Sequence, residues 1–236
     1  MRKEYRFDYS KARPNRFAMR KGERLIVANY YLAKPKSGKG KGVLVLHAWW
    51  GLNPFVKKFC DRLAKEGFIA LAPDLYHGAV ASTIAEAKKL RDTHKPKIVG
   101  QEIAQAAAQL RALCGGNKRT IGVVGFSLGG YWALWFAEQK TSAVAATVAF
   151  YASRNGDYRD SPSAFQFHLA ERDDYVAASG VKKLAKQLSA AGKDAEFFTY
   201  PGTSHWFFEN DRVGAYNARA AKLAWGRTIK FLKTHI

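Results

Sequence analysis

Acidic residues are scarce in this chain: 19 Asp and Glu stand against 39 Lys and Arg, leaving a formal net charge of +20 at pH 7. An excess of this size keeps a protein soluble and favours non-specific contact with polyanions. Half of it arises early, because residues 1–41 carry thirteen Lys and Arg against three Asp and Glu. The cations are nonetheless scattered, and no zinc finger or recognition-helix pair accompanies them, so sequence-specific nucleic-acid binding is not expected. Cysteine is nearly missing. Cys60 and Cys114 fall on predicted helices without metal-like spacing and read as small core residues, not as a disulfide. Long apolar runs are absent too: nothing approaches the ~20 residues of a membrane span. The first residues, Met1 to Arg6, offer no apolar core for a secretory signal, so a cytoplasmic location is expected. There are no internal repeats and no linker. The expected organisation is therefore a basic arm over residues 1–16, followed by one domain over 17–236.

What is present centres on Gly125-Phe126-Ser127-Leu128-Gly129-Gly130. The apolar run Thr120–Val124 before it suits a strand, and the breaker-free stretch Tyr131–Glu138 after it suits a helix. A strand, a sharp G-x-S-x-G turn and a helix make a nucleophile elbow, which lifts a serine hydroxyl above a sheet. The glycines keep Cβ atoms out of a turn where strand end and helix start nearly touch.

Around the elbow, apolar runs alternate with helical patterns. Val43–Leu46 and Phe68–Ala72 read as buried central strands, and Ala143–Tyr151, Ala164–Leu169 and Ala195–Tyr200 as further strands. Asn53 with Pro54 starts a helix that Gly67 ends. Further helices are predicted over Ser82–Lys95, Ile98–Leu113, Val176–Ala191 and Val213–Lys233, and a hairpin over Phe17–Ala33. This order implies an α/β fold of the α/β-hydrolase kind: a mostly parallel central sheet with helices on both faces.

A serine is a poor nucleophile at neutral pH unless a base takes its proton and a third group orients that base. In an open α/β sheet such residues gather past the carboxyl ends of the strands. His205 follows Ala195–Tyr200, and Asp173 follows Ala164–Leu169, so Ser127, Asp173 and His205 occur in α/β-hydrolase order. Asp174 is the nearest alternative acid, with Asp157 and Asp160 behind it; His77 is the alternative base. His94 is assigned to a helix, His168 to a strand and His235 to the terminus. A tetrahedral oxyanion needs two backbone N–H groups. Leu128 supplies one, and the loop His47–Gly51 another, for which Trp49 is the choice. Trp50, Phe126, Tyr151 and Trp206 are expected to wall an apolar substrate pocket.

His47–Asn53, Ala72–Tyr76, Gly125–Gly130, Leu169–Asp173 and Tyr200–His205 together resemble the dienelactone hydrolase family in order and context, from about residue 23 to the C-terminus. The resemblance implies an α/β-hydrolase sheet, a nucleophile–His–Asp triad at Ser127, His205 and Asp173, and an oxyanion hole at Trp49 and Leu128. Two departures stand out. The family nucleophile is Cys, partnered by a Glu that manages the thiol; here Ser127 is paired with Ala48, a coherent exchange. The family also carries an Arg after the catalytic His to hold a substrate carboxylate, where this chain has Trp206, Phe207, Phe208 and Glu209. The expected activity is a serine hydrolase cleaving an ester, lactone or thioester, without metal or organic cofactor. The alternatives are a non-catalytic binding protein on the same fold, and an acyltransferase or peptidase using the same triad.

Overall fold

The computed structural model describes residues 29–93, 95–116, 120–139 and 143–236. The basic arm, most of the expected hairpin and His94 lie outside them. Seven strands form one sheet: β1 (Tyr30–Ala33), β2 (Lys41–Leu46), β3 (Phe68–Pro73), β4 (Ile121–Phe126), β5 (Val144–Phe150), β6 (Ala164–Arg172) and β7 (Ala195–Ser204). Their spatial order is β1-β3-β2-β4-β5-β6-β7. Among the described residues only β1 runs antiparallel, pairing Tyr30 with Pro73 and Ala33 with Ala70. The described part of the expected hairpin is thus an edge strand on β3. The other pairs are parallel.

Six helices cover the faces: α1 (Pro54–Lys65), α2 (Ile84–Thr93), α3 (Pro96–Leu113), α4 (Leu128–Glu138), α5 (Ala178–Ala190) and α6 (Ala218–His235). Their starts follow local chemistry. The Asn53 side chain accepts from the Val56 N–H at 3.1 Å, and Pro54 fits the first helical position because its missing N–H would lack a partner there. Pro96 likewise opens α3, two residues before the expected start. The last helix begins at Ala218 and not at Val213, because Asn217 caps it through Ala220 N–H.

The sheet is apolar throughout its middle. Every residue of β3 and β4 is buried, as parallel strands covered on both faces require. Cys60 sits inside this core on α1, where burial pushes its thiol pKa up; Cys114 caps α3, and neither is in a disulfide. Strands β6 and β7 run past the expected ends, and a register shift after Ala170 still pairs Arg172 with Ser204. That extension matters. It carries Asp173 and His205 together beyond the sheet edge, next to the end of β4.

Candidate active site

The elbow is built by close backbone approach. A Cβ on Gly125 would lie 2.2 Å from the Gly129 carbonyl oxygen, and one on Gly129 would lie 2.1 Å from that of Leu46. No side chain survives at such distances, so both positions require glycine. The same contact seats the start of α4 directly on the end of β2, bringing the His47–Trp50 loop beside Leu128. Ser127 itself has φ 51° and ψ −113°, a conformation costly for a residue with a Cβ. It is held from both sides: its N–H donates to Phe150 O, and its carbonyl accepts from Tyr131 N–H, each at 3.0 Å.

The Ser127 hydroxyl lies 2.8 Å from His205 Nε2. On the other side of the ring, Nδ1 lies 2.8 Å from both carboxylate oxygens of Asp173. A carboxylate only accepts, so Nδ1 carries the proton and Nε2 presents its lone pair to the serine. Asp173 is itself fixed, since its Oδ1 accepts from the N–H groups of Tyr175 and Val176 at 2.9 Å. His205 and Asp173 are almost fully covered, with 4% and 8% of their side-chain surface exposed, which limits competition from water. The imidazole is enclosed by rings of Tyr151, Tyr175 and Trp206, with centroids 4.8 to 4.9 Å away.

The other candidates lie apart from this line. Asp174 is exposed at the mouth of a groove, and Asp157 is bonded to Arg159. His77 pairs with Glu102 at 3.2 Å, in the loop after β3. His168 is buried between Tyr200, Gln166 and Thr228, and burial brings its pKa down to about 3, so it stays neutral.

Two spaces lie nearby, one lined by Leu128 next to the serine and the other by His205. One, of about 140 Å³, is lined by His47, Tyr76, Arg91, Val99, Leu128 and Trp132. The other is a groove of about 470 Å³ that includes Trp50, Tyr175, His205, Trp206 and Arg212. Trp50 and Trp206 therefore stand where a pocket wall was expected. Phe126 does not: it is fully buried and stacked on Phe150 at 4.8 Å, because its side chain points from the strand into the core. Tyr151 is also fully buried, behind His205. Tyr175 was missed by the sequence reading, although it lies two residues past Asp173 in the same loop.

Glu209, in the stretch where the family carries a carboxylate-binding Arg, is 1% exposed and accepts from the Tyr151 hydroxyl at 2.7 Å. Burial, helped by Asp211, raises its pKa to about 8 against the lowering effects of the Tyr151 hydrogen bond and Arg212. Between the unfolded carboxylate pKa of about 4.3 and that value, the folded chain holds one more proton than the unfolded chain. Stability from this group is therefore complete below the lower value and is lost as pH rises toward 8, by roughly 1 kcal/mol per pH unit. Denaturation midpoints of wild type and Glu209→Gln at pH 5, 6.5 and 8 are expected to show a shallower decline in the variant. Equal slopes would mean that Glu209 is ionised in the fold.

Residues 28–236 match the dienelactone hydrolase family. The chain belongs to that family. It is 34% identical over 217 residues to Protein usf of Aquifex pyrophilus, covering 87% of this chain and 93% of that one. The identity and coverage are the same against an Aquifex aeolicus (strain VF5) protein whose name proposes a carboxymethylenebutenolidase. A solved dienelactone hydrolase-like promiscuous phosphotriesterase, P91, from metagenomic libraries, superposes with a TM-score of 0.74 at 24% identity, over 85% of this chain and 88% of that one. That last likeness speaks for the fold. Together with the mostly parallel sheet, it identifies the architecture as an α/β hydrolase. Membership of the family makes this chain a carboxylic ester hydrolase.

Proposed function

We propose that this dienelactone hydrolase family member cleaves neutral carboxylic esters or lactones through an acyl-enzyme on Ser127. The observation that carries the reading is the unbroken line from Ser127 Oγ through His205 to Asp173, each step at 2.8 Å. His205 Nε2 takes the serine proton as Oγ attacks the carbonyl carbon, and the carbonyl π pair moves onto oxygen. The N–H groups of Leu128 and Trp49 face that oxyanion, each such donor being worth about 3 kcal/mol. Leu128 is the first residue of α4, so its N–H has no helical partner. His205 then gives its proton to the leaving alcohol as the C–O bond breaks. Water repeats the cycle: His205 removes its proton, the acyl carbon transfers to hydroxide, and Ser127 is regenerated. Asp173 holds the imidazole in one tautomer and stabilises its cation.

A purely binding protein on this fold has no use for a serine held at φ 51° against an imidazole, which is the argument against that alternative. A fluorophosphonate probe is expected to label Ser127 in wild type and to leave Ser127→Ala unlabelled. Labelling elsewhere, or none, would remove the nucleophile assigned here.

The preference for neutral substrates rests on the cations near the site. Arg91 is bonded to Asp92 at 2.7 Å, and Arg212 to Asp211 at 3.2 Å while lying over the Trp50 ring. Both charges are already partnered, and a carboxylate entering between Trp50 and Trp206 would be desolvated without a free cation. A short neutral acyl ester is therefore expected to give a higher kcat/KM than an anionic lactone of similar size at fixed ionic strength. The reverse order would show that Arg91 or Arg212 leaves its acid to meet the substrate.

Among the described residues no helix is long and apolar enough to cross a membrane. The two cysteines, neither in a disulfide, agree with a reducing, cytoplasmic setting, and the +20 charge with non-specific polyanion contact at the surface.

A further inference from the structure

A second groove, of about 350 Å³, lies between α1 and α6, under the segment that follows His205. Its floor is aromatic, with the buried Phe55, Phe59 and Phe208 and the half-buried Trp225 among the lining side chains, and its rim carries Lys58, Arg62 and Lys222. No Asp or Glu lines it. Arg62 lies over the Trp225 ring, with its guanidinium carbon 3.8 Å from the centroid. Stacking uses only the face of the guanidinium, so the in-plane N–H donors stay open to a planar acceptor. Glu66 is the acid whose charge acts on Arg62, and its Oε2 is already bonded to Lys233 at 2.8 Å. Three cations thus border an apolar floor with no carboxylate between them.

We propose that this α1/α6 groove binds an amphiphilic carboxylate, its apolar body against the aromatic floor and its two oxygens on the Arg62 fork. Arg–carboxylate pairs of this bidentate kind are both stronger and more directional than single hydrogen bonds. The apolar floor selects against bare inorganic anions, which have nothing to bury there. Lys58 and Lys222 add attraction for the charge without fixing its geometry. Ester hydrolysis releases carboxylates of this class, but the argument concerns the groove alone and does not rest on the reading of Ser127.

Titration calorimetry of the full chain with octanoate and 4-phenylbutanoate tests the site, with octanamide, octyl phosphate and inorganic phosphate as comparison ligands. Binding of both carboxylates is expected, with octanamide and inorganic phosphate at least tenfold weaker. Arg62→Met should weaken carboxylate binding at least tenfold, and Arg62→Lys, which keeps the charge and loses the fork, several-fold. Lys222→Met should cost less than Arg62→Met. All three variants should hydrolyse p-nitrophenyl acetate at the wild-type rate, which also reports that they are folded. No carboxylate binding, binding unchanged in Arg62→Met, or octanamide binding as tightly as octanoate would overturn the proposal. Octyl phosphate binding more tightly than octanoate would overturn the assignment to carboxylates.

Discussion

Ser127→Ala is expected to lose turnover by on the order of a thousandfold or more while the protein keeps its fold. The hydroxyl contributes one hydrogen bond, to His205, and removing it empties little volume at the top of the sheet. Alanine must still adopt φ 51°, so the elbow backbone is equally strained and its position is retained. The loss is therefore chemical. Any residual rate is expected to come from the proposed oxyanion donors, the Leu128 and Trp49 N–H groups, acting on a carbonyl attacked by water. Steady-state hydrolysis of a neutral ester, with circular dichroism as the folding check, measures it. Wild-type rates in the alanine variant would place the nucleophile elsewhere.

Asp173→Asn is expected to cost nearly as much, on the order of ten-thousandfold in kcat. An amide oxygen at Oδ1 can still accept from Tyr175 and Val176, so the loop stays in place. The amide nitrogen then faces His205 Nδ1 and donates to it, which forces the ring proton onto Nε2. In that tautomer the histidine donates to Ser127 and cannot take its proton. Asp174→Asn is the control. Asp174 is exposed, and the imidazole Nδ1 is bonded to Asp173, so less than about a threefold change is expected, in line with the small effects of surface changes. The opposite ranking of the two variants would move the acid to Asp174 and contradict the 2.8 Å contacts seen here.

Much of this site was legible because its parts obey local rules. Gly125, Ser127 and Gly129 announce a turn whose geometry few sequences permit, and the distances from Gly129 to the end of β2 show the steric reason. Asn53 and Pro54 announce a helix start through their own capping chemistry. Asp173 and His205 follow apolar runs that end as strands end. Other features had no local signature. The strand at Tyr30–Ala33 falls within the expected hairpin, but its antiparallel neighbour on β3, about forty residues away, had no local signature. The ends of β6 and β7 depend on each other through the pairing of Arg172 with Ser204.

Side-chain direction divided the pocket residues. Trp50 and Phe126 both sit where strands meet loops, and both read as apolar wall. The pleat and the elbow turn Phe126 inward against Phe150, whereas the loop after β2 leaves Trp50 facing Trp206, centroid to centroid at 5.3 Å. Glu209 is the sharpest case. By sequence it is one more charged residue past His205, and only the fold buries it beside Tyr151 and pushes its pKa up.

The sequence by itself determined the class of fold and the elbow, because each is written in residue types within a few positions of one another, and it set Ser127, Asp173 and His205 in α/β-hydrolase order, the latter two just past predicted strands. The tertiary structure decided which of two adjacent aspartates meets the histidine, which of the expected aromatics are buried and which line a groove, and that Lys58, Arg62 and Lys222 share one groove. Those outcomes depend on contacts between segments up to about 160 residues apart, such as Arg62 with Trp225. No local pattern encodes them, since burial and distance exist only once the sheet has brought the segments together.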